Sequence, residues 1–72
     1  MKKMWIQLKP DCDEKKVLRD LEEIGRIEKD ASIPGKIILT FHNQSEAGIK
    51  MSCFKLQEDF IHLFQDFDMV RP

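Results

Sequence analysis

Two segments of the chain, residues 4–9 and 36–42, alternate between apolar and other side chains, and no other feature constrains the fold as strongly. Alternation at every second residue is typical of β-strands with one buried face. In the first segment the buried face is predicted to hold Met4, Ile6 and Leu8. The second segment is rich in β-branched and aromatic residues, which predicts a central strand.

A helix is predicted between these two strands, because apolar residues recur there at helical spacing. They are Val17, Leu18, Leu21 and Ile24. Asp11 followed by Glu14 has the spacing of a capping box, and Gly25 suits the position just after a helix C-terminus. We therefore expect a first helix that begins after Asp11 and ends before Gly25.

A hairpin is predicted to pair the second alternating segment with a weaker, more polar strand at residues 26–31. Pro34 and Gly35 fit the two central positions of a type II turn, since glycine accepts the positive φ that the second position requires. The polar strand has little apolar surface to bury, so we expect it at an edge of the sheet.

The C-terminal third has an ambiguous period. Ile49, Met51 and Cys53 alternate as in a strand, but a longer set of apolar residues follows one helical stripe. That set comprises Ile49, Cys53, Leu56, Phe60, Leu63 and Phe67. Because the stripe is longer, we predict a helix over about residues 45–65, with Asn43 and Glu46 as a capping box. A strand-like start near 47–53 remains open, and 68–71 is predicted to be a short final strand.

The predicted order is strand, helix, strand, strand, helix, strand. This order is that of the ferredoxin-like split βαβ fold (βαββαβ), an α+β fold in which an antiparallel sheet carries two helices on one face. Residues 1–72 are expected to form a single domain with one core. In this arrangement the first and third strands are neighbours at the centre, and the second face of the sheet is uncovered.

Charge and composition narrow the classes of partner. The formal net charge of −1 provides no field that would attract nucleic acid or anionic membranes. No apolar run approaches the roughly 18 residues of a membrane span, and the segment before Pro10 is too short for a secretory leader. Cys12 and Cys53 lack metal or redox spacing and are expected to be reduced thiols. We predict a cytoplasmic protein that holds no cofactor and no metal and binds no membrane.

No set of residues indicates catalysis, and we expect that the chain is not an enzyme. His62 would meet Glu58 or Asp66 at a spacing of four on the predicted helix, but a metal needs three or four ligands. Cys12 lies near a helix N-terminus, where neighbouring carboxylates oppose formation of its thiolate. The glycines form no phosphate-binding loop.

The C-terminal helix carries more apolar residues than one buried face requires. Met51, Phe54, Ile61 and Phe64 fall beyond the main stripe when residues are spaced about 100° apart. Such an excess forms either a broad contact with the core or a patch that binds another chain. We predict partner binding at these four residues and at Trp5, with another protein or a second copy of the chain as the partner.

A second candidate surface is the uncovered face of the predicted sheet. Trp5 points to that face if its alternating neighbours point inward, and Thr40 and His42 would join it from the third strand. Ferredoxin-like RNA-binding domains stack bases on aromatic residues of this face. The alternative function is therefore nucleic-acid or small-ligand binding around Trp5, although the strand lacks the aromatic RNA-binding signature.

Parts of the chain resemble the regulator-docking domain of chemotaxis-type histidine kinases. The likeness lies in residues 5–10 (WIQLKP) and 17–25 (VLRDLEEIG), which are similar to the first strand and first helix of that domain. Residues 59–67 (DFIHLFQDF) are similar to its last helix. The segment between first strand and first helix is shorter here. The resemblance implies a ferredoxin-like module that binds a protein.

Overall fold

The computed structural model describes residues 1–71. Four strands form one antiparallel sheet in the order β2-β3-β1-β4. They are β1 (Lys3–Leu8), β2 (Gly25–Lys29), β3 (Lys36–Phe41) and β4 (Phe64–Met69). The predictions that the first and third strands are central neighbours, and that the second is an edge strand, are confirmed.

Two α-helices and one short 3-10 turn complete the described fold. The helices are α1 (Glu14–Leu21) and α2 (Glu46–Asp59), and the 3-10 turn covers Ile61–Leu63. Buried residues of both helices join those of one sheet face in a single core cluster. The protein is therefore a small α+β domain with a four-stranded antiparallel sheet and two helices, compatible with a ferredoxin-like fold.

The alternating segments bury the faces that the sequence predicts. Ile6 on β1 and both Ile37 and Leu39 on β3 have no exposed surface. Ile6 and Ile37 are also direct partners across the two strands. Each buried aliphatic side chain contributes roughly 1.5–3 kcal/mol, so this central pair of strands anchors the core.

Both predicted capping boxes are wrong by two residues. Asp13 caps α1 and accepts from the Lys16 N–H at 3.4 Å, because residues 9–12 form a turn closed by the Cys12 N–H and the Lys9 carbonyl. Ser45 caps α2 and accepts from the Gly48 N–H at 3.0 Å. The Asn43 side chain does not cap the helix; its Oδ1 accepts hydrogen bonds from the N–H and the hydroxyl of Ser45.

The end of α1 also differs from the expectation. Gly25 does not follow a helix C-terminus but begins β2. The helix ends at Leu21, and a turn closed by the Ile24 N–H and the Leu21 carbonyl at 2.9 Å leads into the strand. Ile24 is buried, so the apolar spacing that predicted a longer helix reflects a core contact made from the turn.

The predicted C-terminal helix is correct at its start and wrong at its end. Residues 47–53 are helical, which removes the strand-like alternative. Beyond Asp59 the chain makes the 3-10 turn and then β4, in place of a helix to residue 65 and a strand at 68–71. Pairing with β1 supplies the backbone hydrogen bonds of β4, and just beyond both strands the Lys9 N–H donates to the Leu63 carbonyl at 2.9 Å.

The hairpin turn agrees with its prediction. Gly35 has a φ of 80°, and the Lys36 N–H donates to the Ile33 carbonyl at 3.2 Å across the turn. Earlier in the same loop, Asp30 accepts from both the hydroxyl and the N–H of Ser32. These two hydrogen bonds lower the pKa of the Asp30 carboxyl and so favour its charged form.

Candidate functional site

Two large apolar side chains on α2 project into solvent. Met51 is 74% exposed and Phe54 is 65% exposed, because the helix turns Ile49 and Leu56 toward the sheet instead. Side chains three or four residues apart lie on the same side of a helix, so Met51 and Phe54 are neighbours on its outer flank. Neither contributes to the core, and both are available to a partner.

An apolar groove of about 380 Å³ lies between α2 and β4. Its floor is formed by the buried residues Met4, Leu56 and Phe64. Its walls are formed by Cys53, Gln57, Ile61, Phe67 and Met69. Phe54 lies one helical turn before Gln57 and on the same side of α2, so the exposed flank continues toward this groove.

The groove contains an aromatic pair on β4. The ring centroids of Phe64 and Phe67 are 5.8 Å apart and the rings meet edge to face at 63°. Phe64 is buried, whereas Phe67 is 41% exposed. The pair therefore links the core to the surface: one ring belongs to the floor of the groove, and the other presents apolar area to whatever enters it.

The five residues predicted to bind a partner occupy four different environments. Met51 and Phe54 lie on the outer flank of α2, and Ile61, 41% exposed, lies on the rim of the groove. Phe64 is a core residue whose edge reaches the groove floor. Trp5 is half-buried on the opposite face of the sheet and does not belong to the same surface.

Six residues of the groove were not among the predicted site residues, and two of these six, Phe67 and Met69, lie on β4. Both side chains lie on the same sheet face as the core, opposite Ile6 and Met4 of β1. Their signal was the alternation with two aspartates over 66–69, which the longer helical stripe concealed. The groove exists only because β4 pairs with β1, and that contact joins distant parts of the sequence.

The uncovered sheet face has mixed charge around Trp5. The Lys36 ammonium lies 5.1 Å from the centroid of the indole ring, at the distance of a cation–π contact. The direct neighbours of Trp5 on adjacent strands are Ile38 and Asp68. His42 does not extend this surface, because its Nε2 lies 2.7 Å from the carbonyl oxygen of Glu22 at the end of α1.

Both cysteines are free and neither is activated as a nucleophile. Burial raises the pKa of the Cys53 thiol, which lines the groove. Desolvation is also the main cause that raises the pKa of Cys12, and the nearby carboxylates Glu14, Asp11 and Asp13 raise it further. A backbone hydrogen bond of Cys12 acts in the opposite direction without reversing the shift.

Both thiols are expected to react more slowly with iodoacetamide near pH 7.5 than the free thiol of N-acetylcysteine does. The raised pKa leaves less of each thiol as the reactive thiolate, and burial limits access to Cys53. Mass spectrometry of the labelled peptides would give both rates, with the urea-unfolded chain as the control. A folded Cys12 that reacts faster than the unfolded chain would contradict this assignment.

His62 does not form the helical pairs that its spacing predicted. It lies in the 3-10 turn beyond the end of α2, so Glu58 and Asp66 are not its neighbours on a helix face. It lines a second, charged groove between the two helices, together with Lys55 and Asp59. Among residues 1–71 no group of three His, Cys, Asp or Glu side chains is placed to hold a metal ion.

No family model, no curated protein and no solved structure matches this chain. None of the helices described within residues 1–71 has the length and apolar character needed to cross a membrane. The class that the fold and surface define is thus a small α+β domain with an exposed apolar helix flank and an adjoining apolar groove.

Proposed function

We propose that this chain is a non-enzymatic protein-interaction module that binds through the outer flank of α2 and the groove beside β4. The observation that carries the proposal is the exposure of large apolar side chains on both parts of this surface. Phe54 is 65% exposed on the flank, and Ile61 and Phe67 are each 41% exposed at the groove. Large apolar side chains that remain exposed near one another on a small domain mark binding sites.

The energetics of exposed aromatic residues support this proposal. Phe54 is 65% exposed in the free protein, and complete burial against a partner would contribute at most roughly 1.5–3 kcal/mol to binding. Aromatic residues are also enriched among the side chains that dominate protein–protein affinity. We further infer that the module is cytoplasmic and regulatory and has the ferredoxin-like βαββαβ fold. The likeness to regulator-docking domains implies the same fold and protein binding.

A charged residue at position 54 is expected to abolish partner capture without unfolding the protein. Phe54→Glu places a carboxylate in the centre of the flank, where a partner would have to desolvate it. Quantitative pull-down from the native lysate would compare wild type, Phe54→Glu and Ala31→Glu, which adds the same charge in the exposed β2–β3 loop. The proposal predicts that Ala31→Glu captures the same proteins as wild type. Phe54→Glu should capture them at least about tenfold less, the loss expected for about 1.4 kcal/mol.

Self-association is the second form of the same proposal, with a copy of the chain as the partner. Analytical ultracentrifugation over a wide concentration range would detect it as an increase in mass that Phe54→Glu removes. A monomeric wild type whose captured proteins are the same as those of Phe54→Glu would refute binding through this surface in both forms.

The sheet face around Trp5 has less support as a ligand site. Lys36 already occupies one side of the indole, and the neighbouring Asp68 would repel a phosphate backbone. The other β3 residues on that face are Ile38 and Thr40, which offer no aromatic ring for stacking. These observations favour the helix flank and groove over nucleic-acid binding.

A further inference from the structure

The β4 strand has a free edge whose outward backbone groups can be identified. The Val70 N–H donates to the Lys3 carbonyl at 2.9 Å, which fixes the phase of hydrogen bonding between β4 and β1. Since bonded and non-bonded pairs alternate in antiparallel sheets, Asp66 and Asp68 direct their backbone groups toward β1. Phe67 and Met69 therefore direct theirs toward the free edge.

The two outward N–H groups are occupied by carboxylates. The Phe67 N–H donates to Asp66 Oδ1 at 2.9 Å, and the Met69 N–H donates to Asp68 Oδ1 at 2.8 Å. Each aspartate thus covers the donor of the residue that follows it. Charged groups at an edge strand are a known means of preventing uncontrolled pairing with other chains.

The charges of Asp66 and Asp68 are not compensated within the described chain. The ion pairs among residues 1–71 are Arg26–Glu28, Lys29–Glu14 and Lys55–Glu23. Both aspartates are exposed and belong to none of these pairs. A cationic side chain brought to this edge would consequently meet two carboxylates that already accept backbone hydrogen bonds but belong to no ion pair.

The two faces of β4 differ sharply in chemistry. Asp66 and Asp68 lie opposite Gln7 and Trp5 on the uncovered face of the sheet, whereas Phe67 and Met69 lie on the side of the groove. A strand added to this edge would continue both surfaces. It would need basic residues opposite the aspartates and apolar residues above the groove, in strict alternation.

A second copy of the chain does not meet this requirement through β4. Antiparallel pairing of two β4 strands would place the carboxylates of Asp66 and Asp68 beside those of the other copy. Like charges directly opposite in a sheet are destabilising, and neither copy would release the covered N–H groups. Charge complementarity therefore selects a partner segment of the opposite sign.

We propose that the β4 edge and the adjoining groove receive an extended segment of another protein in which basic and apolar residues alternate. Lysine or arginine side chains of that segment bind Asp66 and Asp68 and draw the carboxylates away from the Phe67 and Met69 N–H groups. These N–H groups then donate to carbonyls of the added strand, and the apolar side chains enter the groove. The inference rests on the proposed function and specifies the chemistry of its partner.

This inference is tested by adding synthetic heptapeptides to the ¹⁵N-labelled wild-type protein and following its amide signals by NMR. A peptide that alternates lysine and valine is expected to shift the amide signals of Phe67 and Met69 most strongly. Replacing its lysines with glutamate should weaken binding at least about tenfold, since each opposed charge pair changes from favourable to unfavourable. N-methylation of alternate backbone amides, which removes the strand hydrogen bonds, should weaken binding similarly.

Substitution of the two aspartates provides a second experiment. Asp66→Thr with Asp68→Thr should remove the preference for the basic peptide and allow concentration-dependent self-association. Asp20→Asn with Glu58→Gln removes the same amount of charge from exposed positions on the helices and should change neither property. The strand-forming threonine retains the β-propensity of the edge.

Two results would overturn the inference. One is equal binding of the N-methylated and unmodified basic peptides, which would show charge attraction without strand pairing. The other is a peptide response centred on the groove between the helices. If either result occurs while capture still depends on Phe54, the proposed function stands and only the proposed partner chemistry fails. If the peptide pairs with β4 but capture does not depend on Phe54, the edge site stands and the proposed function of the helix flank fails.

Discussion

Replacing Phe41 with alanine is expected to leave a large fraction of the protein unfolded at 25 °C. Phe41 is 1% exposed at the end of β3 and is the largest of the fully buried side chains. Removing a buried phenylalanine costs about 3–5 kcal/mol through lost burial and an unfilled cavity. A domain of this size has a stability near the low end of about 5–15 kcal/mol, so the loss approaches the whole free energy of unfolding.

Phe54→Ala is the matched control, because it removes the same side chain from a position that is 65% exposed. Its effect on the free energy of unfolding is expected to lie within about 0.5 kcal/mol. Urea denaturation followed by circular dichroism would measure both variants. Equal destabilisation by Phe41→Ala and Phe54→Ala would mean that Phe54 is a core residue, and it would remove the main support for the proposed binding surface.

The strands of the central pair could be predicted because their signal is local. Ile6 and Ile37 alternate with less buried residues along their own segments, and a strand with one buried face requires nothing more. The turn at Pro34 and Gly35 is equally local, since the requirement for a positive φ falls on glycine. These features needed no knowledge of what the segments pack against.

The C-terminal strand could not be predicted in the same way. Phe60, Leu63 and Phe67 continue the helical stripe of α2, and only pairing with β1 makes residues 64–69 extended. Tertiary contacts determine that this segment is a strand and not a helix. Hydrogen bonds to β1 and burial of Phe64 replace the internal hydrogen bonds of about two further helical turns. A short amphipathic segment does not carry that information in its own sequence.

The candidate surface was accordingly predicted in part. The apolar excess identified Phe54 and Met51 correctly as residues outside the buried stripe, and both are strongly exposed. The assignment of Phe64 to the same surface assumed that α2 continued through it. The alternation of Asp66 and Asp68 with apolar residues is visible in the sequence, but only the strand order places these aspartates on an edge of the sheet.

The second large effect is expected at Gly25, which has no room for a side chain. A methyl group there would overlap the carbonyl oxygen of Thr40 and lie 2.9 Å from Leu39 Cδ2. The obstacle is backbone of the central strand β3, which cannot move without disturbing its pairing with β1. Gly25→Ala is therefore expected to destabilise the protein by about 1–3 kcal/mol or more, as other substitutions that overpack a core do.

Arg26→Ala provides the control on the same edge strand, because Arg26 is exposed and its ion pair with Glu28 contributes little. Urea denaturation of the two variants should show a clear loss for Gly25→Ala and a small change for Arg26→Ala. A Gly25→Ala protein as stable as wild type would mean that β2 can move away from β3 without cost. The loss should also be independent of partner binding, since β2 and β4 lie at opposite edges of the sheet.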